Sequence, residues 1–170
     1  MTARHTRIDT ALGELTVVAA GDAITGIFFP GHRYPPDPGS TGTPVAPDDD
    51  PLFVAAAVQL TENLAGTRTT FDLAIRTAGD PFSERVWAML REIPYGRTTT
   101  YGQLADRLGR RTPAQAVGRA VGHNPISIVI PCHRVVGHDG RLTGYAGGQD
   151  RKRRLLDLEQ PVPAEAGRLF

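Results

Sequence analysis

The one cysteine of the chain, Cys132, stands in the run Ile-Val-Ile-Pro-Cys-His-Arg-Val-Val-Gly over residues 128–137. A lone cysteine is ordinarily a small buried hydrophobe, but the neighbours of this one point toward a nucleophile. The apolar residues 128–130 bring the chain to the edge of a core, and Pro131 fixes the approach. His133 is a base next in sequence and Arg134 adds positive charge; such neighbours lower a thiol pKa from ~8.5 toward the reactive thiolate. Successive residues on a strand face opposite sides, so His133 serves Cys132 only across a turn or through a water. A histidine base in turn needs a partner that fixes its tautomer, usually a carboxylate. Asp139, Asp150, Asp157 and Glu159 are all near, and spacing from His133 does not choose among them.

Downstream, Leu-Thr-Gly-Tyr-Ala-Gly-Gly at 142–148 sets Tyr145 among glycines. Glycines let backbone approach a ligand closely, and an aromatic ring there can stack on a planar base. The loop is not a phosphate-binding Gly-x-Gly-x-x-Gly, and no obvious strand precedes it. The five histidines, His5, His32, His123, His133 and His138, have no metal-ligand spacing. One cysteine rules out a disulfide framework and a cysteine-rich zinc site. No metal and no cofactor are expected.

These groups need elements to position them. Residues 6–29 read as a β-hairpin or meander, with short β-branched and aromatic runs broken at Gly21-Asp22. Residues 30–51 hold seven of the fourteen prolines and the acidic run Asp48-Asp49-Asp50, a composition that resists a packed core and reads as a long surface loop without fixed structure. A helix follows, capped by Asp50, opened by Pro51 and ended at Gly66, with Phe53, Ala57, Leu60 and Leu64 on one face. Thr-Arg-Thr-Thr-Phe-Asp-Leu-Ala-Ile at 67–75 reads as a strand. Asp80 and Pro81 open a second helix, lined by Phe82, Val86, Leu90 and Ile93. Two short helices, 100–109 and 113–122, are joined tightly enough for a helix-turn-helix, although a plain helical hairpin has the same pattern. Residues 125–131 read as a buried strand or extended segment, 137–148 as a Gly-rich loop, 149–159 as a basic amphipathic helix and the tail from Pro161 as loop.

With 170 residues, one domain or two small ones are possible. The composition, 40% hydrophobic and 22% charged, is that of a globular protein. No apolar run approaches the ~20 residues of a membrane helix, and the N-terminus has no secretory core; with the cysteine usage, a cytoplasmic location is expected. The net charge of +1 is unevenly spread. Residues 1–80 carry five arginines against ten carboxylates, and residues 81–170 carry thirteen arginines and one lysine against eight. The balances, −5 and +6, point the C-terminal half at an anionic partner.

Taken together, Ile-Pro-Cys-His-Arg-Val-Val-Gly, the upstream Tyr-Gly-Gln-Leu-Ala and Gly-His-Asn-Pro-Ile-Ser, and the downstream Gly-Tyr-Ala-Gly-Gly and Arg-Lys-Arg-Arg-Leu-Leu-Asp-Leu-Glu resemble the O6-alkylguanine-DNA alkyltransferases. The resemblance runs from about Pro81 to Glu159 and is weaker over residues 6–76. It implies an α+β chain: a small N-terminal β-sheet domain with a helix over 1–76, including the Pro-rich loop at 30–51, a linker at 77–80, and a mostly helical, winged-helix-like DNA-binding domain over 81–170.

The resemblance also implies roles. Cys132 accepts the alkyl group, His133 activates it through a water and Glu159 orients His133. Tyr101 donates to guanine N3. Asn124 matches a hinge asparagine between recognition helix and active site. Cys132 and Val135 offer carbonyls to the exocyclic amine, and Tyr145 and Ala146 close over the flipped base. Gln115, Ala116, Gly118 and Arg119 lie on the helix inserted into DNA, with Arg110 a candidate phosphate contact alongside Arg111 and Arg141. Two departures stand out: Gln115 occupies the position where the family carries an intercalating arginine, and the N-terminal part has no cysteine for the zinc that some members hold. The expected partner is double-stranded DNA carrying O6-alkylguanine, bound in the minor groove without sequence preference by a monomer, with cooperativity and acceptance of O4-methylthymine open. A Cys-His hydrolase and a non-catalytic sensor of alkylated DNA are the alternatives.

Overall fold

The computed structural model describes residues 2–109 and 111–160. Arg110 and the tail from Pro161, expected as a DNA contact and a loop, lie outside the described residues. Strands β1 (Ala3–Thr10), β2 (Gly13–Ala20) and β3 (Ala23–Phe28) form an antiparallel meander. Ile8, Leu15, Val17, Ile24 and Ile27 of these strands enter the core. A register shift between Val18 and Ala19 accompanies the burial of both residues, as expected where a bulge re-aims side chains.

The Pro-rich loop is more ordered than its composition implied. It carries a strand, β4 (Thr43–Pro44), parallel to β1, and a single 3-10 turn at Pro47–Asp49. Val45 N donates to His5 O at 2.8 Å, and Arg4 pairs with Asp50. Proline tolerates an edge strand, which is where β4 lies in the order β3-β2-β1-β4.

Helix α1 (Pro51–Leu64) begins where Asp50 accepts from Leu52 N and presses Phe53, Ala56 and Leu60 into the core. The segment expected as a strand at 67–75 forms no continuous ladder. Its one bridge is Ile75 to Ile24, and Gln59 takes over the role of a neighbouring strand: Gln59 Nε2 donates to Asp72 O at 2.9 Å and Gln59 Oε1 accepts from Asp72 N at 2.7 Å.

The C-terminal part consists of α2 (Pro81–Arg91), α3 (Tyr101–Leu108), α4 (Ala114–Gly122) and α5 (Gln149–Glu159), with β5 (Thr99–Thr100) and β6 (Val135–Val136) paired in parallel. Asp80 caps α2, and Thr100 with Gln103 forms a reciprocal capping box on α3. Trp87 Nε1 donates to Ala120 O at 2.8 Å and pins α2 to α4. The segment 125–127 joins the end of β3, where Ile27 N donates to Pro125 O and Ser127 N to Ile27 O. One apolar core runs through both parts, from Leu15 and Phe53 to Leu90, Leu104, Ile130 and Leu155.

Candidate active site

The site hangs on the turn between β3's partner segment and β6. Asn124, 2% exposed, holds this turn from within: its Oδ1 accepts from Ile126 N at 3.0 Å and its Nδ2 donates to Ile130 O at 2.8 Å. Between those anchors Ile128 adopts φ +72°, a left-handed conformation that costs a β-branched residue on the order of 1–3 kcal/mol. The chain then enters a single 3-10 turn at Cys132–Arg134. This supplies the turn that an adjacent Cys-His pair requires.

His133 is fully buried, and its Nε2 lies 2.8 Å from Glu159 Oε2. Of the four nearby carboxylates the fold selects the last residue of α5; Asp150 and Asp157 are exposed, and Asp139 pairs with Arg141. The carboxylate holds the ring proton on Nε2, leaving Nδ1 as the basic atom. That Nδ1 is buried with no hydrogen-bond partner, so its lone pair is available to accept a proton.

Arg134 was expected to add positive charge beside the thiol. Instead its guanidinium is spent on Glu159, with Nε to Oε1 at 2.8 Å and Nη2 to Oε2 at 3.0 Å, while Nη1 donates to Ile93 O. The bidentate fork fixes the carboxylate plane. Burial alone would raise the Glu159 pKa, but the hydrogen bonds from His133 and Arg134 outweigh it and bring the carboxyl down to about 2. Burial pushes the His133 pKa down, and Glu159 pulls it partly back.

The cation facing the thiol is Lys152, a residue that motif reading missed. It is the only lysine in the chain and is fully buried. Nζ donates to Val135 O at 2.6 Å and to Thr143 O at 2.8 Å, and sits 5.9 Å from the centre of the Tyr101 ring. Burial brings its pKa down to about 8. Burial raises the Cys132 pKa, while the facing Asn124 amide and the Lys152 charge lower it. A signal existed: Lys152, Leu155, Leu156 and Glu159 recur at helical spacing, and all four are buried.

The loop 143–148 closes the site. The Tyr101 hydroxyl donates to Thr143 O at 3.4 Å. Burial raises the Tyr101 pKa, partly offset by that bond. Tyr145 is buried against the thiol, which together with burial lifts its pKa well above the usual range. Val135 and Ala146 are buried beside it, and Cys132 is 4% exposed. Cys132, His133, Glu159, Tyr101, Val135, Tyr145 and Ala146 thus converge on one place. Asn124 adjoins it, with both ends of its amide engaged by backbone.

Gln115 and Arg119 form an exposed stripe on α4, one turn apart. The small residues of α4 are divided. Ala116, Gly118 and Gly122 are partly exposed, but Ala120 is buried against Trp87. The Tyr101 ring lies alongside Gly118, at ordinary contact distance from where a Cβ would stand. Arg111 and Arg141 are exposed. Among the described residues no group of three or more His, Cys, Asp or Glu side chains is placed to hold a metal.

Comparison with known proteins gives a consistent result. Residues 3–77 match the 6-O-methylguanine DNA methyltransferase ribonuclease-like domain, and residues 81–161 match the DNA binding domain of the same family. The methylated-DNA–protein-cysteine methyltransferase of Mycobacterium bovis is 44% identical over 159 residues, covering 93% of each chain. The protein of that name from Haemophilus influenzae is 39% identical over 157 residues, covering 92% of this chain and 86% of its own. The crystal structure of Mycobacterium tuberculosis OGT in complex with DNA superposes with a TM-score of 0.82 at 42% identity, covering 92% of both chains.

Proposed function

The chain belongs to the 6-O-methylguanine DNA methyltransferase family, and from that premise we propose a role for each residue of the site in a reaction that each molecule performs once. The protein is a methylated-DNA–protein-cysteine methyltransferase: it binds DNA and repairs O6-methylguanine by direct reversal. The observation that carries the assignment of roles is the burial together of Cys132, His133 and Glu159, with His133 Nε2 on the carboxylate and its Nδ1 unpartnered.

The lesion is hidden in the duplex, so the base must be flipped out at a cost of a few kcal/mol. The α4 stripe enters the minor groove, and Gln115 fills the space the base leaves. Arg119, Arg111 and Arg141 supply salt-sensitive contacts that do not depend on sequence; Arg110 completes this set. The flipped base enters beneath the 143–148 loop, read by the Val135 carbonyl, with Tyr145 and Ala146 closing over it. His133 takes the thiol proton, directly or through a water, and the thiolate attacks the alkyl carbon in line. The S–C bond forms as the C–O6 bond breaks. Tyr101 donates to guanine N3 as charge builds on the leaving base, and the base regains a proton. The thioether product has no good leaving group, which makes the alkylated protein the end point.

The part over 1–76 acts as scaffold, 77–80 as linker and 81–170 as the DNA-binding and transfer domain. The protein works as a monomer in the cytoplasm, where its DNA substrate is. The test is duplex DNA carrying one O6-methylguanine, mixed with limiting protein. Restored guanine equal in amount to protein, with no further conversion, is the expected result. Repeated turnover overturns the single-use reading, and binding without conversion indicates a sensor of alkylated DNA.

A further inference from the structure

One stretch of the N-terminal half touches both the base-closing loop and the DNA-facing helix: residues 29–34. At one end Phe29, 3% exposed, meets Tyr145 edge-on with ring centres 6.0 Å apart. The space a side chain on Gly147 would need is filled by the same Phe29 ring. Arg33 N donates to Ala146 O at 2.8 Å. Arg151 of α5 seals this end: Nη1 donates to Pro30 O at 3.1 Å and to Gly147 O at 3.0 Å, and the guanidinium lies 5.1 Å above the Phe29 ring.

At the other end Tyr34 stacks on His123, with ring centres 3.8 Å apart and planes 20° from parallel. The histidine ring is not free to turn, because its Nδ1 lies 2.8 Å from Arg119 O and so caps the last turn of α4. The Tyr34 ring also borders Gly122, where an added methyl would come into contact with the ring edge. The Arg33 guanidinium lies over that ring, 5.3 Å from its centre. A continuous series of packed groups therefore links the end of α4 to the loop over Cys132.

We propose that Tyr34 is a positioning residue: through its stack on His123, segment 29–34 holds the last turn of α4 at a set distance from the 143–148 loop, so that a base displaced beside α4 arrives over Cys132. This rests on the reading that α4 enters DNA. Tyr34 touches α4 rather than the thiol, so its loss slows the step that needs both and leaves the reactivity of Cys132 alone. The Tyr34 hydroxyl has no part in this, and a phenyl ring serves as well. An aromatic stack is worth roughly a two- to tenfold factor.

The experiment compares wild type, Tyr34→Phe, Tyr34→Ala and His123→Ala. Two rates are read on each: methyl transfer from a saturating O6-methylguanine duplex in a single turnover, and labelling of Cys132 by iodoacetamide. The expected result is that Tyr34→Ala slows duplex transfer about threefold to tenfold, Tyr34→Phe matches wild type, and labelling is the same in all four. Adding Tyr34→Ala to His123→Ala should slow transfer little further. Unchanged duplex transfer in Tyr34→Ala overturns the proposal. So does a parallel fall in both rates, or a loss in Tyr34→Phe equal to that in Tyr34→Ala. Failure of wild type itself to transfer methyl would instead overturn the functional reading beneath it.

Discussion

Glu159 is the residue on which the chemistry turns most quietly. It carries no reacting atom in the proposed mechanism, yet its carboxylate sits against His133 Nε2 and shares its other lone pairs with Arg134. Glu159→Gln keeps the shape but presents an amide that can hold the ring in the wrong tautomer. Methyl transfer is expected to fall about a hundredfold in single-turnover kinetics, the scale of general-base effects, with duplex affinity unchanged. Lys152→Met removes the charge that favours the thiolate and frees the carbonyls of Val135 and Thr143. Its expected effect is a transfer rate lower by about tenfold or more, read against an unchanged equilibrium binding curve. Cys132 and His133 were legible because Pro-Cys-His-Arg is a local pattern. The true place of Arg134 was not, because a guanidinium next to a cysteine in sequence can turn either way, and only the 3-10 turn sends it to Glu159.

At the scale of elements, the helices declared themselves through their ends. Asp50 and Asp80 cap α1 and α2 as their side chains indicated, and Thr100 caps α3 where the sequence had marked only the far end at Gly109; the apolar faces followed from spacing. The extended segments were harder to read. Residues 67–75 have strand composition but find Gln59 instead of a second strand, and β4 lies in a stretch whose prolines argued against any order. Both depend on contacts distant in sequence. The turn 124–130 is of the same kind, since the Asn124 amide and backbone bonds to β3 hold it together. Asn124→Ala leaves buried Ile126 N without its partner, while Ile130 O keeps Cys132 N, and is expected to cost about 1–3 kcal/mol in denaturant unfolding, with transfer lost in parallel. On α4, Gln115→Arg restores a charge to the exposed stripe. The expected outcome is tighter duplex binding and a salt dependence steeper by about one phosphate contact.

For the whole molecule, the uneven charge and the continuous core describe one division of labour: an acidic half that shares the core and a basic half that matches the family's DNA binding domain. The same core buries groups that make the fold acid-sensitive. Burial, aided by Arg151, holds the His32 pKa down at about 4, below its ordinary 6.5. The unfolded chain takes up that proton first, so stability is present above pH 6.5 and is lost as pH falls toward 4. Glu159, down at about 2, adds a second loss between pH 4.5 and 2. Thermal unfolding followed against pH should show the first decline shrink in His32→Phe, while the share owed to buried His133 and the second decline remain. The central claim, that Cys132 is the final resting place of the alkyl group, is tested most directly by peptide mass after reaction with excess O6-methylguanine duplex. The mechanism predicts one methyl per chain, on the peptide containing Cys132, and none in Cys132→Ala. A methyl on any other residue, or guanine restored while Cys132 stays unmodified, would contradict it.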